Sequence, residues 1–187
     1  MPRPISPDAL AAQLDTHLAK VARRRTRRGL PAPQVRVEAP GFSYRSGDEL
    51  PFHAASVGKL ATAALVAQQI SADHLAFTTS VDEVLPPEET AGLFARSGAT
   101  VEQLLGHTTG VADYFGDPVT RGSRFVPQVL ASHEHLWHPA ELLAFSRELQ
   151  RPVEAPGERF HYSDTGYVLL GRILEQVTGQ PFDQSIS

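Results

Sequence analysis

The sequence predicts an α+β protein, with a small antiparallel sheet flanked by helices and a larger, mainly helical part. Three patterns lead to this class. Leucines recur at helical spacing through residues 7–22, an alternating segment at 34–38 precedes a turn and a second short strand, and the rest carries helical patterns. We therefore expect an N-terminal helix with an edge β-hairpin in residues 1–53, and a mainly helical domain in residues 54–187.

The composition is ordinary for a globular chain of 187 residues, with 41% apolar and 20% charged residues. A formal net charge of −4 argues against nucleic acid as the main partner. The absence of cysteine excludes disulfides, thiolate metal sites and a cysteine nucleophile. We see no signal peptide and no apolar stretch of membrane-spanning length, so we expect a cytoplasmic protein without membrane partners, provided Met1 is the native start.

Local signals mark the ends of the predicted helices. Asp8 is placed to cap the first helix, and the arginine-rich run VARRRTRRG that closes it is typical of a solvated helix end. Further helices are predicted over 101–105, 139–149 and 165–177, and the segments VLPPEET and RPVEAPGE are predicted as loops.

The stretch FHAASVGKL, residues 52–60, places one of only two lysines in the chain three residues after a serine. Residues at this spacing share one face of a helix, so the Lys59 amine is expected to reach the Ser56 hydroxyl. A serine becomes a nucleophile when a neighbour takes its proton, and a lysine can do so if burial lowers its pKa. The helix start also offers N–H groups to an oxyanion. The alternative is a capping serine beside a surface lysine, and the pair alone is weak.

A second stretch, RFHYSDTGYVLLG at residues 159–171, places Tyr162 just before the predicted helix at 165–177. A tyrosine near a serine and a lysine can relay protons, because a nearby cation favours its ionised form. The alternative interpretation is a buried aromatic ring whose hydroxyl has found a partner in the protein.

Four stretches together resemble one family. FHAASVGKL resembles the serine-x-x-lysine motif of penicillin-binding proteins and serine β-lactamases. HYSDTGYVLLG is similar to the tyrosine-x-asparagine motif of class C β-lactamases, related DD-peptidases and family VIII esterases. VEQLLGHTTGVADYF resembles their LLxHTSG segment, and PGERFHYSDTGYVLLGRILEQVTGQPF resembles their run into the next helix. The resemblance covers roughly residues 30–183, in the family's order.

This resemblance implies a β-lactamase/transpeptidase-like fold and a serine hydrolase that acts on an ester or amide carbonyl through an acyl-serine, without a cofactor. By position, Ser56 is similar to the nucleophile, Lys59 to its base, and Tyr162 to the second proton carrier. Asp164 stands at a substrate-binding position where the family has asparagine. An ionised aspartate only accepts hydrogen bonds, and it would hold Lys59 charged and weaken it as a base.

Several alternatives accompany this interpretation. Residues 163–165 can also be aligned as a variant of the class A serine-aspartate-asparagine motif, although the longer match favours the alignment on Tyr162. His107 is interpreted as a helix-end contact rather than a catalytic group. His133, His135 and His138 are interpreted as a surface cluster rather than a metal site. The hydrolase also competes with a catalytically silent relative that binds a ligand or partner in the same cleft.

The substrate expected from the resemblance is a small ester, amide or β-lactam, and the lack of an export signal favours an ester. The resemblance ends at PFDQSIS, and the family's third motif, a lysine or histidine followed by serine or threonine and then glycine, does not occur in the chain. We therefore expect a fragment or one part of a longer or nicked protein, with sheet strands missing and poor turnover unless the remaining segment is bound.

Overall fold

The structure is a computed structural model that describes residues 5–51 and 53–186. The chain divides into two compact units, residues 1–53 and 54–187. Phe52, the first residue of the FHAASVGKL stretch, lies outside the described residues. Within the described ranges, no helix combines the length and the apolar character that crossing a membrane requires.

The first unit begins with helix α1, Pro7–Thr26. Its N-cap is Ser6, whose side chain accepts a hydrogen bond from the N–H of Ala9 at 3.3 Å. The prediction that Asp8 caps this helix is therefore wrong by two positions. Asp8 lies in the first turn, where its negative charge still suits the helix dipole, and Arg23, Arg24 and Arg25 lie in the last turn.

The predicted hairpin is confirmed as strands β1, Val35–Ala39, and β2, Phe42–Ser46, which pair in antiparallel register with Val37 opposite Tyr44. The side chain of Tyr44 is buried, and its hydroxyl donates a 2.7 Å hydrogen bond to Asp15 of α1. This bond connects the hairpin to the helix within the first unit.

The second unit is mainly helical. A 3₁₀ turn, Ala55–Gly58, leads into α2, Lys59–Ser71. The remaining helices are α3, Val81–Val84; α4, Pro87–Thr90; α5, Val101–Leu105; α6, Phe125–Ala131; α7, Pro139–Leu149; α8, Asp164–Thr178; and α9, Phe182–Ser185.

The predicted bounds of α5 and α7 are confirmed, and those of α8 are correct to one residue at each end. The prediction that VLPPEET is a loop is wrong, because α4 begins at Pro87 within it. Proline is compatible with the first helical turn, where its missing N–H has no intrahelical partner. RPVEAPGE contains neither helix nor strand, as predicted.

Helix α8 lies at the centre of the core of the second unit. It packs against α2, α3, α5, α7 and α9. Leu169, Leu170 and Ile173 are completely buried, and Leu174 is 1% exposed. A helix with neighbours on several sides buries more than one stripe, and each such side chain contributes about 1.5–3 kcal/mol. This burial holds the start of α8, and the residues just before it, in a defined position.

The core also contains a close approach between Gly110 and the loop near Glu154. Gly110 has a φ of +69°, its carbonyl accepts a hydrogen bond from the N–H of Val153 at 2.8 Å, and an ideal Cβ on it would lie 2.0 Å from the Glu154 carbonyl oxygen. Gly122 has a similar φ of +74° but no atom within 4 Å of its ideal Cβ. Both glycines therefore have a backbone conformation that would be strained for a residue with a Cβ, and they differ in the space available to that Cβ.

We expect Gly110→Ala to lower the free energy of unfolding by at least ~3 kcal/mol, because the methyl group meets backbone atoms. Gly122→Ala should cost only the left-handed backbone penalty, about 1–2 kcal/mol. Urea unfolding of both variants measures the difference. Equal losses would show that the Gly110–Glu154 contact is not as close as the structure has it.

Candidate active site

Ser56 lies in the 3₁₀ turn that precedes α2, and its side chain is exposed. The residue before it, Ala55, has a φ of +48°, which is uncommon for a residue with a Cβ. Such backbone conformations cost about 1–3 kcal/mol and cluster at functional sites. The turn therefore presents the Ser56 hydroxyl to solvent at the N-terminal end of α2.

A short chain of hydrogen bonds begins at Ser56. Its Oγ lies 2.8 Å from the Tyr162 Oη, and that phenol donates to Oδ1 of Asp164 at 3.1 Å. A phenol has one proton to donate, so the Ser56 hydroxyl is the donor in the first bond. The proton of Ser56 therefore points to Tyr162, and the proton of Tyr162 points to Asp164.

Lys59 bonds to the same carboxylate oxygen of Asp164, and the two side chains are 19% and 21% exposed. The expectation that the Lys59 amine reaches the Ser56 hydroxyl is not met. In the part of the chain that the structure describes, the side-chain partner of Ser56 is Tyr162. The lysine extends towards the opposite charge at the start of α8, and its Nζ lies 5.2 Å from the centroid of the Tyr162 ring.

The electrostatics of Lys59 follow from this pairing. Burial alone lowers the pKa of Lys59, but the hydrogen bonds with Asp164 and Tyr162 outweigh burial and leave that pKa raised. The condition under which Lys59 could act as the base, a pKa lowered by burial, is therefore not met. Lys59 is held in its charged form, which is the effect expected of a carboxylate at position 164.

The ring of His107 packs against the ring of Tyr162. Its ring lies 4.5 Å from the Tyr162 ring between centroids, with 32° between the planes. Its Nδ1 accepts the N–H of Ser163 at 3.2 Å, and its carbonyl accepts the N–H of His161 at 2.7 Å. Burial, and then the charge of Lys59, lower the pKa of His107, so the ring stays neutral. His107 is thus a support for the site, which agrees with its interpretation as a contact rather than a catalytic group.

Ser163 and Thr165 separate the two possible alignments of the second motif. Ser163 is 1% exposed and is the N-cap of α8. Its hydroxyl donates a hydrogen bond to the Ala112 carbonyl at 3.1 Å and accepts one from the N–H of Gly166. Thr165 is fully buried. Both side chains have structural roles in the core, whereas Tyr162 is exposed beside Ser56, so the geometry favours the alignment on Tyr162.

No sequence pattern predicted a role for Asp113 or Asp117, although both follow the HTTG stretch. Asp113 is 8% exposed, and its carboxylate accepts the N–H of Asp164 at 3.0 Å and that of Gly116 at 3.0 Å. Burial raises the pKa of Asp113. The Asp117 carboxylate accepts a hydrogen bond from the N–H of Asp113 at 2.8 Å. The same carboxylate lies 2.7 Å from His161 Nε2. These bonds fix the backbone on both sides of Tyr162.

His133, His135 and His138 lie just before α7 and do not belong to the group formed by Ser56, Lys59, Tyr162 and Asp164. The Nε2 of His135 is 2.9 Å from Glu141, and the N–H of His138 donates to the same carboxylate at 2.9 Å. Among residues 5–51 and 53–186, no three histidines or carboxylates are grouped so as to hold a metal ion. The contacts of His135 and His138 cap a helix at the surface.

Comparisons with known proteins agree with this geometry. The sequence model of the Beta-lactamase family matches residues 16–187. The chain is 30% identical over 135 residues to penicillin-binding protein 4 of Amycolatopsis lactamdurans, which covers 72% of this chain and 32% of that protein. The chain therefore belongs to the serine β-lactamase and penicillin-binding-protein family.

Solved structures show the same fold. A D-stereospecific amidohydrolase from Streptomyces sp. superposes with a TM-score of 0.65 and 29% identity, over 78% of this chain and 43% of that chain. EstCE1, a hydrolase with promiscuous acyltransferase activity, has a TM-score of 0.64 at 21% identity, over 95% of this chain and 50% of its own. The fold is β-lactamase/transpeptidase-like. The chain spans about a third or less of the length of the curated relatives it matches.

The lowered pKa of His107 makes folding sensitive to acid. The unfolded histidine takes up its proton near pH 6.5, above the folded one, so the free energy of unfolding should fall as pH drops below about 7. In His107→Asn the amide oxygen can replace Nδ1, and asparagine tolerates the left-handed φ of 54°. We expect a shallower fall between pH 7 and 5 for this variant in chemical denaturation.

The matched control is His133→Asn, since His133 is exposed. It should keep the wild-type slope, whatever its effect on absolute stability. A wild-type slope in His107→Asn would mean that protonation of His107 is not linked to folding.

Proposed function

We propose that this protein is a serine hydrolase that opens an ester or amide bond through an acyl intermediate on Ser56. The observation that carries the proposal is the 2.8 Å contact between Ser56 Oγ and Tyr162 Oη. It provides the serine proton with a positioned acceptor, which is what a weak hydroxyl nucleophile requires. The membership of the chain in the β-lactamase family supports the same chemistry.

In this proposal Ser56 attacks the carbonyl carbon while its proton moves to Tyr162. The phenol then returns a proton to the leaving alcohol or amine, and afterwards assists water in releasing the acyl group. Lys59 places its positive charge 5.2 Å from the centroid of the Tyr162 ring. The N-terminal end of α2 adds a partial positive charge beside the reacting carbonyl.

The proposed substrate is a small molecule with an ester, amide or β-lactam bond. Penicillin-binding protein 4 and the D-stereospecific amidohydrolase support this class by what their names state, and EstCE1 is described as a hydrolase. The exposure of Ser56, and of 39% of Tyr162, is consistent with substrate reaching the nucleophile from solvent.

A catalytically silent binding protein is the second candidate, and the Lys59–Asp164 pair favours it. A lysine held charged cannot take a proton from serine, so a site that depended on Lys59 as base would be silent. The two candidates differ in one observable, which is covalent modification of Ser56 by a reactive acyl donor.

We expect a fluorophosphonate or fluorescent β-lactam probe to label the 187-residue chain at Ser56. Labelling requires a single transfer to the nucleophile and no turnover, so it isolates the first chemical step. Ser56→Ala should reduce labelling to background. Mass spectrometry of the tryptic peptide that contains residue 56 identifies the modified side chain.

Ser71→Ala is the matched control, because Ser71 is an exposed serine at the other end of α2. This variant should label at the wild-type rate. Labelling that persists in Ser56→Ala would refute the assignment of the nucleophile, and an unlabelled wild-type chain would favour the silent relative.

A further inference from the structure

We propose that Asp164 is the final acceptor of the Ser56 proton, which reaches it through Tyr162, and that Lys59 acts as a fixed cation rather than as the base. This inference rests on the proposed acyl-serine function and deepens it. It assigns a proton-accepting role to a residue that stands where the family has an amide, and an amide oxygen is a far weaker base than a carboxylate.

The geometry supports this direction of proton movement. Ser56 Oγ is 2.8 Å from Tyr162 Oη, and Tyr162 Oη is 3.1 Å from Asp164 Oδ1, so both bonds are within proton-transfer range. The phenol donates towards the carboxylate, which leaves its lone pairs facing the serine. A proton that leaves Ser56 therefore finds an acceptor whose own proton already points to Asp164.

Lys59 is poorly placed to be the base. In its charged form an ammonium group has three donors and no acceptor, so it must first lose a proton. The carboxylate of Asp164 and the hydroxyl of Tyr162 outweigh burial and raise the lysine pKa, which makes that loss harder. Its bond to Asp164 instead holds the carboxylate in place beside Tyr162.

Among the residues that the structure describes, the groups that face Asp164 are Lys59 from α2, Tyr162 before α8, and His107, Asp113 and Tyr114 from the loop after α5. His107 stays neutral, and burial raises the pKa of Tyr114 to about 12, so its phenol is neutral too. The charged groups are therefore the Lys59 cation and the Asp113 carboxyl, and Lys59 makes the direct bond to Asp164.

The Ser56 Oγ forms a bond to the carbonyl carbon, and the carbonyl π pair moves to its oxygen. The serine proton passes to Tyr162 Oη as the phenol proton passes to Asp164. When the intermediate collapses, the oxyanion pair re-forms the carbonyl and the bond to the leaving group breaks. Tyr162 gives its proton to the leaving group as Asp164 returns a proton to Tyr162, so the leaving group departs protonated. Water repeats the sequence against the acyl carbon and restores the Ser56 hydroxyl.

The test is the rate of Ser56 labelling by a fluorophosphonate, measured from pH 4 to 10. Its activated leaving group needs no acid, so the rate reports the base alone. If a carboxylate is the base, wild type should label through neutral pH and lose reactivity only in acid. Asp164→Asn keeps the shape and the hydrogen bond from Tyr162 but removes the base, so its rate at pH 7 should fall roughly 100-fold or more.

If Lys59 is the base, removing the carboxylate lowers the lysine pKa, and Asp164→Asn should label faster at pH 7. Faster or unchanged labelling would therefore overturn the inference while leaving Ser56 as the nucleophile. A wild-type chain in which Ser56 is never labelled would overturn both the inference and the proposed function.

Two further measurements keep the test independent of how well Asp164→Asn folds. Asp73→Asn, at an exposed position beyond the far end of α2 and roughly 20 Å along its axis from Lys59, should label as wild type at every pH. For wild type, the rate in mixtures of H₂O and D₂O should curve with the deuterium fraction, because two protons move together. A linear dependence would contradict the relay.

Discussion

The ion pair between Lys59 and Asp164 is the contact on which the geometry of the site depends. It joins the first residue of α2 to the first residue of α8, which are 105 positions apart in the sequence. Both side chains are about four-fifths buried, so water solvates each charge only in part and the opposite charge of the partner compensates for the rest. Removing one partner of such a pair is costly, because the remaining charge stays partly buried and unpaired.

The loop that follows α5 holds the other side of the site. The backbone of residues 161–164 donates to His107 at residues 161 and 163 and to Asp113 at residue 164. The Tyr162 ring rests on the neutral His107 ring. A nucleophile and its proton acceptor must keep their separation to within a few tenths of an ångström, and these bonds restrict the freedom that Tyr162 would have in an open loop.

The carboxylate at position 164 changes the charge of the site relative to the amide that is usual in this family. An amide would leave Lys59 with a neutral neighbour, whereas the carboxylate balances the positive charge of Lys59 and holds the lysine protonated. The same carboxylate receives the Tyr162 hydroxyl. One oxygen atom of Asp164 thus contacts both the Lys59 ammonium group and the Tyr162 hydroxyl.

The sequence by itself determined what depends on near neighbours. Thr100 caps α5 and Pro139 opens α7, so their bounds could be predicted, and Pro40 and Gly41 form the turn of the hairpin. The motifs around residues 56 and 162 indicated the chemistry. Tertiary structure decided which side chains meet: Lys59 bonds to Asp164 rather than to the serine three residues away. Caps and turns need only a few adjacent residues, whereas this pairing requires α2 and α8 to pack together, which no local pattern specifies.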